Sequence, residues 1–299
     1  RELSNLKAGL DNAIFHAGDL NHGVASLNAP LVFDASVQQL CFLLGGRTLH
    51  LLSEAERQDG EALLHALGTG EITIFDCTPT HLQILIAAGL FERKPPKLRK
   101  VLVGGEPIPK ALWEQLRTQP EIEFYNVYGP TECTVDATCH RINADDDRPV
   151  IGKPLQNVRC YIVDSELRLV PHGATGEIVI AGPGISAGYL NRPELSASRF
   201  IPDRWGNEGE RAYLTGDRGR FLKGDVLKIF GRQDDQVKVR GFRVELGEIE
   251  AALKTLPGVN DAVVVARDGG PRGKTLHGFV VRTQHDGAAA RTALLARPP

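Results

Sequence analysis

Two kinds of apolar segment alternate along the first half of the chain. Helical spacing in 37–46 and 61–70 is followed by the short β-rich runs 47–53 and 72–79, and the same order continues through 80–129. Glycine or proline ends most of these segments. Helices and strands that alternate at such lengths predict a parallel sheet covered by helices on both faces. We therefore expect residues 1–150 to form an α/β subdomain.

Polar and glycine residues mark the ends of the predicted strands. Asp76, Gly104, Gly105 and Tyr128 all lie at such ends. Parallel sheets bind ligands in the crevice beyond the carboxyl ends of their strands. These positions therefore predict a ligand site at one edge of the sheet.

The pattern changes after residue 150. Short β runs separated by Gly/Pro turns occupy 151–231 and predict a mostly antiparallel sheet or barrel. A charged joint follows at 231–241, then a helix at 245–256 and two strands beyond it. We expect 232–299 to be a small α+β unit that is still incomplete where the sequence stops.

Composition excludes several classes of protein. The 35 basic and 37 acidic residues give a net charge of −2, which provides no reason to expect nucleic acid or an anionic membrane as partner. No apolar run is long enough for a membrane span, and no signal or transit peptide is recognisable, so a cytoplasmic protein is expected. The five scattered cysteines contain no C-x-x-C pair, which indicates reduced thiols. The absence of methionine predicts a fragment.

Five segments occur in a characteristic order: FDASV (33–37), NVYGPTE (126–132), GEIVIAGPGISAGYLNRPELSASRF (176–200), YLTGD (213–217) and GRQDDQVKVRGFRVELGEIE (231–250). In this order they resemble the core motifs of nonribosomal peptide synthetase adenylation domains, within the superfamily of acyl-CoA synthetases and luciferases. The resemblance covers nearly the whole chain. The family's phosphate loop and its small-domain lysine motif have no match, so the resemblance implies a fragment covering the second α/β subdomain, the barrel and most of the small domain.

The resemblance implies how the second motif works. Glu132 matches the family's magnesium-associated carboxylate, and Thr131 matches its phosphate-contacting hydroxyl. Joining an acid to AMP brings two anions together, so charge neutralisation is needed, and Mg²⁺ prefers oxygen ligands. The alternative is that Pro130 occupies the first turn of a helix whose N-terminus Thr131 and Glu132 merely favour.

Other matched positions imply nucleotide binding. Asp217 matches the family's ribose-binding aspartate. This role suits a carboxylate, because one carboxylate can accept hydrogen bonds from two vicinal hydroxyls. An Asx turn is the alternative for Asp217, and a solvated strand-end charge is the alternative for Arg232. The full nucleotide set implied is Gly105, Asn126, Tyr128 (beside adenine), Asp217 and Arg232.

Two further aspartates have implied roles. Asp34 matches the residue that binds the substrate α-ammonium in amino-acid-activating members, although it also precedes an apolar helix and could act as its N-cap. Asp234 matches the hinge between large and small domains, and the loop around Gly241 would approach a carrier arm after rotation. A plain linker turn is the alternative for Asp234.

The resemblance also implies a side-chain pocket. Gln38 and Asp76 could together satisfy a carboxamide, whereas a glutamate carboxylate would face Asp76 without a compensating cation. The set therefore favours glutamine, although Asp76 could simply end a strand and Gln38 could face solvent. The implied pocket residues are Asp34, Ala35, Gln38, Asp76, Leu102, Gly104, Val127, Val135 and Asp136.

The sequence therefore predicts an amino-acid adenylating ligase. It would use ATP and Mg²⁺ to form an aminoacyl-AMP, with glutamine as the expected amino acid, and pass the aminoacyl group to the phosphopantetheine thiol of a peptidyl carrier domain among neighbouring synthetase domains. An acyl- or aryl-CoA ligase and a catalytically inert binding module are the alternatives, and Asp34 argues against the first of them.

Overall fold

The structure is a computed structural model that describes residues 2–15, 23–233, 236–239, 242–268 and 274–282. The chain divides into two compact units, Arg1–Gln233 and Asp234–Pro299. The predicted hinge residue Asp234 and the nearby Gly241 lie outside the described residues, so both assignments stay predictions. No helix in the described part of the chain is long and apolar enough to cross a membrane.

A seven-stranded mixed sheet organises the first part of unit one. Its strands, in the order β2-β1-β3-β4-β5-β6-β7, are parallel from β2 to β5 and antiparallel at β6 and β7. The predicted α/β class is therefore confirmed. The bounds are β1 Val24–Leu27, β2 Thr48–Leu51, β3 Ile74–Cys77, β4 Lys100–Val103, β5 Glu123–Tyr128, β6 Thr138–Arg141 and β7 Lys153–Pro154.

Helices cover both faces of this sheet. Successive strand residues point to opposite faces, so Phe75 and Val101 pack in a cluster with α4, α5 and α7, while Ile74, Leu102 and Tyr125 pack with α1 and α2. The helix bounds are α1 Glu2–Ile14, α2 Asp34–Leu44, α3 Glu54–Gln58, α4 Gly60–Thr69, α5 Pro79–Ala87, α6 Leu90–Arg93 and α7 Lys110–Leu116.

One predicted helix is shorter than expected. The apolar run 80–91 predicts a single helix, but α5 ends at Ala87 and α6 begins at Leu90. Gly89 separates them with φ +94°, a left-handed conformation that glycine adopts without a side-chain clash. The glycine therefore ends the helix although the hydrophobic periodicity continues.

An antiparallel sheet follows, as predicted. Its strands are ordered β10-β11-β9-β8, with β12 paired to β11, and Ile178, Ile180 and Tyr213 lie in its core. The short helix α8 (Pro193–Arg199) was not predicted and begins with proline at its first turn. The strand bounds are β8 Arg159–Val163, β9 Gly176–Ala181, β10 Phe200–Pro202, β11 Arg211–Leu222 and β12 Val226–Arg232.

The second unit contains two hairpins and one helix in its described residues. The expectation of a charged joint over 231–241 is partly wrong, because Gln236–Val239 is a strand whose two valines favour the extended conformation. Leu246, Leu253 and Val264 lie in the core of this unit. Its elements are β13 Gln236–Val239, β14 Phe242–Glu245, α9 Leu246–Lys254, β15 Val259–Asp268 and β16 Lys274–Arg282.

Candidate functional site

The carboxyl ends of β3, β4 and β5 lie side by side. Asp76 pairs with Leu102 in the register, and Leu102 pairs with Tyr125 on the next strand. Strand alternation then places Asp76, Leu102 and Val127 on one face of the sheet. Ile74 and Tyr125, on that same face, pack with α2. Three predicted pocket residues from three strands are thus brought to the face that α2 covers.

Asp34 connects α2 with the turn that follows β5. Its carboxylate oxygen accepts a hydrogen bond from the Thr131 hydroxyl at 2.5 Å, although 97 residues separate the two in sequence. The N-cap of α2 is Phe33, which makes no side-chain cap bond, and Asp34 is the first helical residue. The capping alternative for Asp34 is therefore wrong, and its carboxylate is directed toward the second motif.

Gln38 lies on the same face of α2, one turn after Asp34. It is 2 % exposed, so the alternative that it faces solvent is wrong. Within the described residues its side-chain nitrogen Nε2 is buried without a hydrogen-bond partner. A buried donor left unsatisfied costs about 1–3 kcal/mol, so this amide is suited to a ligand that supplies an acceptor.

Asp76 is bound by Gln39, a residue that sequence reasoning did not select. The Gln39 nitrogen Nε2 donates to Asp76 Oδ2 at 2.9 Å. The Asn28 nitrogen Nδ2 donates to the Asp76 carbonyl at the same distance. Asp76 is buried and lies within β3 rather than merely ending it.

The charge on Asp76 is held in an unfavourable environment. Burial raises the pKa of Asp76 to about 6, the hydrogen bond from Gln39 opposes this rise, and the negative charge of Asp34 adds to it. The pKa therefore lies close enough to neutrality for small changes around the carboxyl to alter its protonation. A perturbed carboxyl in a crevice is typical of a functional site.

The turn after β5 is tightly constrained. Thr131–Cys133 forms a single 3-10 turn, and Pro130 is the extended residue before it, so the alternative that Pro130 occupies the first turn of a helix is wrong. Val135 has φ +67°, which is strained for a β-branched residue. A side chain at Gly129 would come within 2.3 Å of the Val135 carbonyl, so only glycine fits there.

Glu132 is buried at this turn and fixed by an aromatic hydroxyl. Tyr189 donates to Glu132 Oε1 at 2.5 Å, and the Tyr189 and Tyr213 hydroxyls are 3.1 Å apart. The pKa of Tyr213 is raised by burial, by its bond with Tyr189 and by the Glu132 charge. The Tyr213 hydroxyl therefore keeps its proton, and the Tyr189 hydroxyl donates directly to the carboxylate.

A second carboxylate is fixed on β11. Asp217 lies opposite Arg232 in the β11–β12 register and accepts from its guanidinium at 3.2 Å. The Tyr128 hydroxyl donates to the other carboxylate oxygen at 2.6 Å. Burial and the Asp217 charge raise the pKa of Tyr128 far above its ordinary value. The Asx-turn alternative for Asp217 and the solvated alternative for Arg232 are both wrong.

The remaining predicted residues have structural contacts of their own. A side chain at Gly104 would meet the Val127 carbonyl at 2.9 Å, so this glycine permits close packing. Gly105 has φ +78°. Asn126 donates to the Val150 carbonyl at 2.6 Å. Their places are Ala35 in α2, Leu102 in β4, Gly104 and Gly105 directly after β4, Asn126 and Val127 in β5, and Val135 and Asp136 after the 3-10 turn.

The cysteines do not contribute nucleophiles to the site. The thiols are free and at least half-buried, and burial raises the pKa of each. A thiol held neutral in this way is a poor nucleophile. The five positions are Cys41, Cys77, Cys133, Cys139 and Cys160.

Sequence reasoning missed the residues that hold the two selected carboxylates. Gln39 adjoins Gln38, and only the rotation of about 100° between neighbouring helix positions decides which amide reaches Asp76. Tyr189 and Tyr213 were within quoted motifs, but their separation from Glu132 gave no signal of contact.

The family model described as AMP-binding enzyme matches residues 4–190. The chain therefore belongs to the AMP-binding enzyme family. It is 43% identical over 279 residues to surfactin synthase subunit 1 of Bacillus subtilis (strain 168), which confirms the resemblance to nonribosomal peptide synthetases. That alignment covers 89% of this chain and 8% of the relative, so the chain spans a small part of the synthetase.

Solved structures agree with this membership. The holo form of PA1221, a synthetase protein containing adenylation and PCP domains, is 27% identical with a TM-score of 0.81, over 93% of this chain and 49% of that one. The adenylation domain AlmE of Vibrio cholerae, in complex with glycyl-adenosine-5'-phosphate, is 26% identical with a TM-score of 0.81, over 93% and 53% of the two chains. The confirmed fold class is that of these adenylation domains.

Proposed function

We propose that this chain carries the amino-acid and nucleotide sites of an ATP-dependent amino-acid adenylating ligase. The observation that carries the proposal is the bond between Asp34 and Thr131. The ammonium and carboxylate of an α-amino acid are attached to one carbon, so the groups that bind the ammonium and the activated carboxylate must be neighbours. A carboxylate beside a hydroxyl provides this pairing, and a fatty or aryl acid would have no use for Asp34.

The nucleotide would be held by the group around Asp217. Each carboxylate oxygen has about two acceptor positions, so Asp217 can accept from vicinal ribose hydroxyls while it keeps Tyr128 and Arg232. The bonds to Tyr128 and Arg232 fix the carboxylate before ligand arrives, which lowers the entropy cost of binding. The glycyl-adenylate bound in the related AlmE structure is the class of intermediate that this arrangement suits.

Glu132 fits a role in holding Mg²⁺. The described residues contain no group of three or more acidic, histidine or cysteine side chains that could form a metal site. This agrees with the usual binding of Mg²⁺ by one or two carboxylates together with substrate phosphates and water. A bound Mg²⁺ would neutralise phosphate charge, and Tyr189 would keep the Glu132 carboxylate directed toward it.

The proposed reaction has two steps. A carboxylate oxygen of the amino acid attacks the α-phosphorus of ATP, the bond to the β-phosphate oxygen breaks, and pyrophosphate leaves. The thiol of a carrier arm then loses its proton and attacks the acyl carbon, which releases AMP and leaves a thioester. Asp34 and Thr131 contribute chiefly by positioning the carboxylate for the first attack.

We further propose glutamine as the preferred amino acid. Asp34 and Gln38 are separated by one helical turn, a rise of about 6 Å, which is comparable to the reach of a glutamine from its ammonium to its amide. The unsatisfied Gln38 nitrogen could donate to the substrate carbonyl, and Asp76 could accept from the substrate amide. A glutamate carboxylate would instead meet Asp76 with like charge.

The test is ATP–pyrophosphate exchange with the full polypeptide that carries residues 1–299. The panel should contain glutamine, glutamate, asparagine, a fatty acid and an aryl acid. The proposal predicts exchange with amino acids, greatest with glutamine. Exchange with only the fatty or aryl acid would instead indicate an acyl- or aryl-CoA ligase, and no exchange together with no binding of ATP or glutamine at millimolar concentration would indicate an inert module.

A further inference from the structure

We infer that Gln39 is a positioning residue that fixes the Asp76 carboxylate in the amino-acid pocket and thereby maintains selection of an amide over an acid. The statement that Gln39 maintains selectivity rests on the proposed function. The statement that Gln39 fixes the Asp76 carboxylate rests on the contacts of Gln39 alone.

Both ends of the Gln39 amide are used. Its oxygen accepts from the main-chain N–H groups of Asn28 and Ala29 at 2.9 and 3.0 Å. These two donors fix which end of the amide is oxygen, because an NH₂ group could not accept from them. The nitrogen is thereby directed to Asp76, at 2.9 Å.

The surrounding loop is tied to the same strand. The Asn28 side-chain nitrogen Nδ2 donates to the Asp76 main-chain carbonyl, and the Asn28 side-chain oxygen Oδ1 accepts from the Ser26 hydroxyl, each at 2.9 Å. Ser26, Asn28, Gln39 and Asp76 are all buried. Buried networks in which each member is satisfied hold one geometry firmly. Gln39 thus joins α2, the 28–29 loop and β3 at the pocket carboxylate.

A glutamine is chemically suited to this position. A glutamate would still accept from the two main-chain donors, but its second oxygen would face Asp76 with like charge. A leucine of similar size would leave those donors and the carboxylate without partners. The position therefore requires a group with an acceptor at one end and a donor at the other.

The protonation of Asp76 connects this geometry to selectivity. Near Asp76, α2 contributes the hydrogen bond from Gln39 and the charge of Asp34, while β3 contributes Cys77, whose thiol is neutral because its pKa is raised. On the neighbouring strand β4, the register partner Leu102 is apolar and buried. Burial sets the pKa of Asp76 at about 6, and loss of the Gln39 bond would raise it further. A protonated Asp76 could share its proton with a glutamate carboxylate, so discrimination would fall.

The first experiment is the pH dependence of the glutamine-to-glutamate preference in pyrophosphate exchange. In the wild type we expect the preference to fall as the pH drops through about 6. Gln39→Leu should move this fall upward by about one pH unit and lower the preference about 10-fold at pH 7. The control Gln58→Leu, at an exposed glutamine, should change neither. A mere loss of folding would reduce both activities without moving the midpoint.

The second experiment is a thermal-unfolding cycle at pH 8 on the 299-residue chain, which needs no activity. Gln39→Glu should lower the melting temperature by several degrees because two carboxylates then face each other. Asp76→Asn should raise the melting temperature more in the Gln39→Glu background than in the wild type, because an asparagine amide can donate to the new carboxylate. Additive effects of the two substitutions would overturn the positioning role.

The two experiments separate the possible failures. An unmoved pH midpoint in Gln39→Leu, with a wild type that activates glutamine, would overturn the inferred control of selectivity. A wild type that activates no amino acid would reject the proposed function, and with it the selectivity part of the inference. The unfolding cycle would then still decide, in either direction, whether Gln39 fixes Asp76.

Discussion

The amino-acid end and the nucleotide end of the candidate site hold their carboxylates by different means. At the nucleotide end, Asp217 has a guanidinium and a phenol as partners. At the amino-acid end, Asp76 accepts from the neutral amide of Gln39, and the nearby Asp34 is also acidic. Asp217 is thus paired with a cation, whereas the buried carboxylate of Asp76 accepts a hydrogen bond only from a neutral side chain in the described part of the chain.

Under the proposed function, this difference follows from what each end would recognise. Every ATP molecule presents the same ribose and phosphates, so a fixed, fully paired carboxylate can serve for all substrates. Discrimination between amino-acid side chains instead needs polar groups that are left unsatisfied until the right partner binds. Gln38, with its buried and unpartnered nitrogen, is such a group within the described residues. Under the proposed function, selectivity at this end would be obtained at a cost in stability.

The largest expected effect is at the nucleotide end. Glu132→Gln keeps the size of the side chain but removes the charge that would hold Mg²⁺. We expect the rate of pyrophosphate exchange to fall on the order of 100–1000-fold with little change in glutamine binding, because charge neutralisation matters most as the phosphate charge reorganises. Glu166→Gln, at an exposed site, is the control. Normal turnover with weaker glutamine binding would reject the role.

A smaller effect is expected from Gln38→Lys at the amino-acid end. An ammonium pairs with a carboxylate but gains little from an amide, so preference should shift from glutamine toward glutamate. Pairing of the new lysine with Asp76 limits the shift to on the order of 10–100-fold, about 1.4–2.7 kcal/mol. Exchange with both amino acids measures it. An unchanged ratio would mean that residue 38 does not line the pocket.

Removing the charge of Asp76 and removing the charge of Asp217 should change the stability of the chain in opposite directions. Between its ordinary pKa of about 4 and its folded value of about 6, Asp76 holds a proton only in the folded chain, so stability falls as the pH rises through this window. Asp76→Asn should then stabilise the chain at pH 7.5, on the order of 2 kcal/mol. Asp217→Asn should destabilise it by about 1 kcal/mol, because Arg232 loses its charged partner.

Thermal unfolding of the 299-residue chain at pH 4 and pH 7.5 measures these differences. Asp145→Asn, at an exposed position, should change little. The gain from Asp76→Asn should nearly vanish at pH 4, where the wild-type carboxyl is protonated in the folded chain and about half protonated in the unfolded chain. A gain of equal size at the two pH values would show that charge is not its cause.

The smallest expected effect comes from Tyr128→Phe. It removes one hydrogen bond from Asp217 while Arg232 remains, so we expect about a 5-fold rise in KM for ATP, about 1 kcal/mol. The KM for glutamine should not change, because Tyr128 contacts the nucleotide end only. Tyr161→Phe is a matched control whose hydroxyl bonds Arg159 and Asp203 elsewhere in unit one. Equal changes in both KM values would indicate general disturbance.

Local patterns were sufficient for the main elements of the fold. Strand positions such as β3 and β5 follow from runs of β-branched and aromatic residues bounded by turn residues. The break at Gly89 was missed because the hydrophobic periodicity of 80–91 predicted one continuous helix. The strand at Gln236–Val239 was missed because the charge density of 231–241 predicted a joint. A single glycine conformation and a pair of valines decided these two cases.

The site was only partly predictable for a different reason. Motif order indicated Asp34, Glu132 and Asp217, because these residues belong to recognisable segments, whereas Asp76 was indicated by its place at the end of a predicted strand and by the implied pocket. Their hydrogen-bond partners come from distant parts of the chain, as Tyr189 does for Glu132. Such contacts depend on tertiary packing, which the spacing of residues along one segment does not encode.

The central claim is that the two ends form one continuous site joined where Asp34 meets Thr131. Isothermal titration calorimetry with a non-hydrolysable glutaminyl-adenylate analogue, in which a sulfamate replaces the phosphate, tests it most directly. Because one molecule would occupy both ends, its affinity for the full polypeptide should exceed that of AMP or glutamine at least about 100-fold. Asp34→Asn and Asp217→Asn should each weaken it. An analogue that binds no more tightly than AMP alone would contradict the account.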